Sequence, residues 1–120
     1  MRVSALVLAA GGSRRFGRPK QLLPWRGEPL IRHAARAALG SGADEVVVVL
    51  GADADAVRAA LADLPIHVAL NPGWESGLAS SLAAGLEEAS GDAVLVVLGD
   101  QPVADAKVLA ALEHRSTTGS

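Results

Sequence analysis

Leu8-Ala9-Ala10-Gly11-Gly12-Ser13-Arg14-Arg15-Phe16-Gly17-Arg18-Pro19-Lys20 follows an apolar run, Val3 to Ala9, that reads as a buried strand. A glycine-rich loop that leaves a strand and carries cations is built to hold phosphates. Gly11, Gly12 and Gly17 let backbone amides approach an anion without a Cβ in the way. Arg14, Arg15, Arg18 and Lys20 supply charge-assisted donors.

Two better-known phosphate loops compete for this segment, and the spacing rejects both. Gly12 and Gly17 fit the first half of a P-loop, but Arg18-Pro19 stands where Lys-Ser/Thr must follow, so the magnesium-binding hydroxyl is missing. A dinucleotide fingerprint needs G-x-G-x-x-G and an acidic residue about 20 positions later. Here the next acidic residue after a strand is Asp53, far too late.

The 120 residues are 50% hydrophobic with mean hydropathy +0.31, enough for one domain with a real core. A formal charge of -2 gives no global attraction to nucleic acid or anionic membrane, so the loop cations are a local device. Aromatic content of 2% without tyrosine argues against stacking platforms for single-stranded nucleic acid. The absence of cysteine excludes a disulfide framework and thiolate metal sites, and fits a cytoplasmic location. Met1 to Gly11 has the outline of a short signal peptide, but its n-region holds a single Arg and cleavage there would destroy the loop. No apolar run approaches the roughly 20 residues a membrane span needs.

Apolar runs at Val3–Leu8, Val46–Leu50, Ile66–Leu70 and Val94–Leu98 are nearly continuous rather than alternating, as strands of a parallel sheet are. Between and after them lie stretches with helical spacing, Leu30 to Leu39, Val57 to Leu64, Leu78 to Leu86, and Val108-Leu109-Leu112. Gly40-Ser41-Gly42, Pro65 and Gly91 close the first three, and Leu22 to Pro29 is a turn-rich insert. The alternation predicts right-handed crossovers and an α/β/α three-layer sandwich with a mostly parallel sheet. Ligands of such sheets sit outside the carboxyl ends of the strands.

The polar segments fall at that rim. Val96 to Pro102 ends a strand on Asp100, a carboxylate placed to bind Mg²⁺, which takes one or two carboxylates plus substrate phosphates. The alternative is an Asp that begins a turn or caps a helix starting near Asp105. In Asn71 to Leu82, small residues at Gly77, Ser80 and Ser81 leave helix N-terminal amides and hydroxyls for a phosphate, ribose or base edge. There the alternative is Ser76 as a cap and Trp74 packed on its own loop. His33, His67 and His114 have no metal-site spacing, Asp53 and Asp55 begin a helix, and Glu87-Glu88 is a solvated face.

The first loop resembles the nucleotidyltransferase pattern L-A-[AG]-G-x-S-x-R-[MF]-G-x-x-K at Leu8, Ala9, Ala10, Gly11, Ser13, Arg15, Phe16, Gly17 and Lys20. Together with L-L-P-x-x-G-x-P-L at Leu22–Leu30, N-P-x-W-x-x-G-L-x-x-S-L at Asn71–Leu82 and L-G-D-Q-P at Leu98–Pro102, it resembles the molybdenum cofactor cytidylyltransferases. That resemblance implies a Rossmann-like nucleotidyltransferase fold and transfer of CMP from Mg-CTP to the terminal phosphate of the molybdopterin cofactor, releasing pyrophosphate. Ala10, Gly11 and Gly12 would line base and phosphates, Arg15 and Lys20 would neutralise the triphosphate, and Asp100 would hold Mg²⁺. The nucleotide-binding set it implies further includes Leu8, Ala9, Ser13, Asn71, Gly77, Ser80 and Ser81. Catalysis of this kind needs charge neutralisation and in-line placement, with no protein nucleophile.

Ala10 resembles the cytidylyl branch, since guanylyl relatives tend to read A-G-G there; GTP, or a sugar-phosphate acceptor, is the alternative. Family members continue for roughly another half-domain. The resemblance therefore implies that 1–120 is the nucleotide-binding part of a nucleotidyltransferase domain, truncated at its C terminus. A non-catalytic nucleotide-binding fragment is the third reading. Early termination is expected to leave a sheet edge that a missing C-terminal half or an oligomer would cover.

Overall fold

The structure, a computed structural model, describes residues 2–100 and 110–113. Its centre is a sheet of β1 (Val3–Ala9), β2 (Glu45–Leu50), β3 (His67–Leu70), β4 (Ala93–Leu98) and β5 (Ala110–Glu113), in the spatial order β3-β2-β1-β4-β5. The first four are parallel, with Leu6 of β1 beside Val47 of β2 and Val96 of β4.

β1 and β2 lie in the middle of the sheet, which is why their sequences are apolar without alternation: residues 4–9 and 46–50 are all buried. Their side chains divide between two cores. Ala5, Val7 and Ala9, with Val46, Val48 and Leu50, pack on α1 (Leu30–Leu39) through Ile31, Ala34, Ala35 and Ala38, and on Val57 of α2 (Ala54–Ala59). Leu6, Leu8, Val47, Val49, Val94 and Val96 face the other way, toward Leu82 and Leu86 of α3 (Leu78–Glu88). Two cores on opposite faces of one sheet are the three-layer sandwich that the alternation predicts.

The second helix is shorter than its spacing suggests. It ends at Ala59, and the chain turns through 60–64 while Leu61 still reaches the core.

A larger correction concerns the fourth expected helix. Val108 and Leu109 lie outside the described residues, but 110–113 form β5, antiparallel to β4 with Leu112 opposite Val94. The outer edge of β4 offers a row of unpaired backbone groups, and ladder bonds there outweigh the weak helix preference of an Ala-Ala-Leu-Glu segment. The edge of β4 is thus paired within this chain, and β5 becomes the outer strand on that side of the sheet. Gln101, Pro102, Asp105, His114 and the terminal Ser116–Ser120 lie outside the described residues.

Two tight hairpins interrupt the alternation. Arg14–Arg15 pairs with Arg18–Pro19 around Phe16-Gly17, and Pro24–Trp25 pairs with Glu28–Pro29 around Arg26-Gly27. Both central pairs have positive φ, 54° and 76° in the first and 53° and 83° in the second, as two-residue hairpin turns of type I′ require. The turn-rich insert is therefore an ordered ladder, and His33 of α1 packs on it, its ring edge-on to Trp25 at 4.9 Å.

The amino-terminal pole of the sheet is pinned by a carboxylate. Glu45 Oε2 accepts hydrogen bonds from Ser4 Oγ at 2.6 Å and from Ser90 N at 2.7 Å, joining β1, β2 and the turn before β4. Burial works to raise the Glu45 pKa; the hydrogen bonds from Ser4 and Ser90 and the charge of Arg2 outweigh it, and the net direction is down.

Candidate functional site

At the opposite pole, β1 and β4 end side by side. β1 is where the strand order reverses, because the chain runs outward to β2 and β3 and then crosses back to β4; a crevice opens at such a point. Here it is a cavity of about 240 Å³. Leu8, Ala9, Ala10 and Gly11 form one wall, Leu98 and Asp100 a second, and Gly77 and Ser81 of the α3 entry a third. Of the residues expected from the sequence, these, apart from Leu98, are the ones the fold brings to one space: strand end, loop start, Asp100 and the α3 entry.

Gly12, Ser13, Arg15, Lys20, Asn71 and Ser80 do not line this cavity. Arg15 lies exposed on the first hairpin, and Lys20 follows it on the return, its backbone N–H donating to Ser13 O at 2.9 Å. Arg14 is committed elsewhere, with Nη1 3.0 Å from Asp53 and Nη2 3.1 Å from Gly17 O. Among the described residues Arg15, Arg18 and Lys20 make no ion pair, so their charge is available to a ligand. Asp53 does precede α2, but at φ 55° and without capping it; its carboxylate ties the loop down through Arg14.

The α3 entry is organised by Asn71. Its Nδ2 donates to Ser80 Oγ at 2.9 Å and to Ser81 Oγ at 3.0 Å, and its Oδ1 accepts from Gly73 N at 3.0 Å. Both hydroxyl oxygens thus accept from Asn71, and Ser80 Oγ also donates to Gly77 O at 2.7 Å. Ser76 makes no side-chain cap on α3, and Trp74 packs against the Gly12 and Gly51 backbones rather than only on its own loop.

Four cavity residues were not among the expected site residues: Gln21, Trp74, Leu78 and Leu98. Gln21 is 2% exposed; its Nε2 donates to Ala9 O at 2.9 Å and to Gly11 O at 2.8 Å, stapling the strand end to the loop. The nitrogen end must face those two carbonyls, since an oxygen there would meet two acceptors and no donor. Gln21 Oε1 is buried without a partner. The available signal was a polar residue between the loop and the apolar pair Leu22-Leu23. Leu78, 61% exposed, offers an apolar contact at the cavity, and Trp74 supplies an aromatic wall.

The Asp100 carboxylate lies at the cavity. Among the described residues no group of three or more His, Cys, Asp or Glu gathers to hold a metal. Among the described residues a single carboxylate would suit an ion that shares its shell with ligand phosphates, as Mg²⁺ does.

A β3-β2-β1-β4 parallel sheet with helices on both faces and a cavity at its switch point defines a Rossmann-like α/β fold. The chain belongs to the MobA-like NTP transferase domain family, which it matches over residues 5–120. It is similar to the nicotine blue oxidoreductase of Paenarthrobacter nicotinovorans, 46% identical over 102 residues that cover 83% of this chain and 50% of that protein. It is also similar to the bifunctional protein GlmU of Kineococcus radiotolerans, 42% identical over 123 positions that cover 97% of this chain and 25% of GlmU. The chain therefore spans half or less of the length of these relatives. A solved nucleotidyl transferase from Methanothermobacter superposes with a TM-score of 0.80 at 36% identity, covering 88% of this chain and 53% of that one. The fold is accordingly that of the nucleotidyltransferases. Among the described residues no helix is long and apolar enough to cross a membrane.

Proposed function

We propose that this chain is the nucleotide-binding part of a cytoplasmic cytidylyltransferase that moves CMP from Mg-CTP to the terminal phosphate of a molybdopterin-type acceptor. The observation that carries the reading is the meeting of the Leu8–Gly11 wall with Asp100 across one cavity, at the start of a loop whose Arg15, Arg18 and Lys20 make no ion pair among the described residues. The four sequence motifs shared with the molybdenum cofactor cytidylyltransferases, and Ala10 in particular, support cytidine and that acceptor over the other members of the superfamily.

In the reaction, an oxygen of the acceptor's terminal phosphate bonds to the α-phosphorus of CTP as the bond to the bridging oxygen breaks and pyrophosphate leaves. Both reactants are anionic, so the barrier is largely repulsion and misalignment. Arg15 and Lys20 lower it by placing positive charge beside the triphosphate, and the 10–13 backbone offers amides that need no reorganisation. Asp100 would hold Mg²⁺, which supplies charge neutralisation and a fixed geometry for the phosphates.

The test is a thermal melt of the chain alone and with Mg-CTP, Mg-GTP or nicotine blue. A ligand that binds only the folded state raises the midpoint by mass action, about 2.7 kcal/mol at a hundredfold excess over Kd. The expected result is a larger shift with Mg-CTP than with Mg-GTP; a larger shift with Mg-GTP would move the reading to guanylyl transfer. A second reading follows from the relative at 46% identity, whose name assigns it redox chemistry on nicotine blue. A midpoint raised by nicotine blue and by neither nucleoside triphosphate would turn the reading to that chemistry.

A further inference from the structure

Trp74 occupies a one-turn helix, Trp74–Ser76, between β3 and α3. Its indole is wedged between two backbones. A Cβ added at Gly51, just past β2, would lie 2.7 Å from Trp74 Cβ and 2.8 Å from Cγ and Cδ1. A Cβ added at Gly12, in the phosphate loop, would lie 2.7 Å from Cζ3 and 2.8 Å from Cη2. The inner edge of the ring therefore rests on the end of β2 and its outer edge on the loop. The same ring lines the cavity and packs against the core on the α3 face of the sheet.

We infer that Trp74 is a positioning residue for the phosphate loop, a rigid spacer that sets the height of Gly12 above the sheet and holds the neighbouring amides where a triphosphate meets them. An indole has no internal freedom with which to yield, and Gly51 blocks retreat. The root of the side chain is fixed as well, because Trp74 N donates to Asn71 O at 3.3 Å and Gly73 N to Asn71 Oδ1 at 3.0 Å. A loop so supported is ordered before the ligand arrives, and the ordering cost is not charged to binding. Gly12 is glycine on this account because the space its Cβ would need is already filled. The inference rests on the nucleotide reading above.

A double-mutant cycle tests it, with Mg-CTP affinity read by titration calorimetry and stability by the urea midpoint. Trp74→Ala would strip the α3-side core, so the informative variant is Trp74→Phe, which keeps a ring against Gly51 and gives up the outer edge against Gly12. Gly12→Ala in the wild-type background is expected to weaken Mg-CTP about tenfold or more, the scale of about 1.4 kcal/mol. Trp74→Phe alone weakens it by a smaller factor, and Gly12→Ala added to Trp74→Phe costs little further. Additive losses in the double variant would overturn the inference, as would a Trp74→Phe protein that loses stability yet binds Mg-CTP like the wild type. A wild-type chain that binds neither Mg-CTP nor Mg-GTP would overturn the nucleotide reading itself, and this inference with it.

Discussion

Four cations crowd the first loop, yet they are not equivalent. Arg14 spends its guanidinium on Asp53 and on the Gly17 carbonyl, which makes it a strut. Arg15 and Lys20 have no such partners, so Ala at either position should weaken Mg-CTP binding by about 1.5–3 kcal/mol, the scale of a charge-assisted contact. Arg14→Ala should cost less affinity and act through the order of the loop. Calorimetric titration of the three variants decides it, and equal losses at all three would show that the ion pair does not set Arg14 apart. Gln21 carries a different prediction: Gln21→Met keeps the volume and removes both donors, leaving Ala9 O and Gly11 O without the amide. A loss of about 1–3 kcal/mol is expected, seen as a lower urea midpoint at unchanged slope. An unshifted midpoint would mean that water serves those carbonyls equally well. The loop glycines and cations were legible in the sequence because their chemistry is local. Gln21 was not, since its partners lie 10 and 12 residues back and meet it only after the hairpin has returned the chain.

That hairpin is the element on which the loop's shape depends. Its turn places a phenylalanine, 90% exposed, at φ 54° and a glycine at φ 76°. For a bulky residue the left-handed region is unfavourable, so the turn leans on Gly17 for the rest of its curvature. Gly17→Val should lower the melting midpoint more than Gly17→Asn, which tolerates that region, with a cost on the order of 1 kcal/mol or more for Val. Equal effects would show that the turn relaxes into another form. The hairpins were hidden from the sequence because Phe-Gly and Arg-Gly lack the Asn-Gly signature of such turns. The strands were plain, since β1 and β2 are buried on both faces and are apolar without alternation beyond Ser4 and Glu45 at their starts. β5 failed for the converse reason: nothing in Ala-Ala-Leu-Glu prefers a strand, and only the free edge of β4 makes it one.

At the scale of the whole molecule the sheet has two poles with different tasks. The carboxyl pole is left open around a cavity, while the amino pole is closed by charge and hydrogen bonds. Ser4, Glu45 and Ser90 tie β1, β2 and the β4 turn together there, and on the α1 face Arg32 grips Asp63 at 2.6 Å and joins that helix to the turns after α2. Glu28 of the second hairpin pairs with Arg36 of α1. The carboxyls in all three contacts are held below their ordinary pKa. Hydrogen bonding to Arg32 brings Asp63 from 3.8 to about 2, hydrogen bonding to Arg36 lowers Glu28, and the bonds from Ser4 and Ser90 lower Glu45 against its burial. A depressed carboxyl pKa means that the unfolded chain binds the proton first, so the stability these groups give is complete above their unfolded values and drains as pH falls. Urea midpoints should be flat from neutrality down to about pH 5 and then fall toward pH 2, with the Arg32–Asp63 share the last to go. Glu45→Gln separates the poles: it should lower the midpoint at neutral pH and flatten the acid limb, because one of the groups that drives it no longer titrates. A Glu45→Gln protein that keeps the full acid limb would locate the acid sensitivity in the exposed pairs instead, and the amino pole would then be held by packing rather than by its carboxylate.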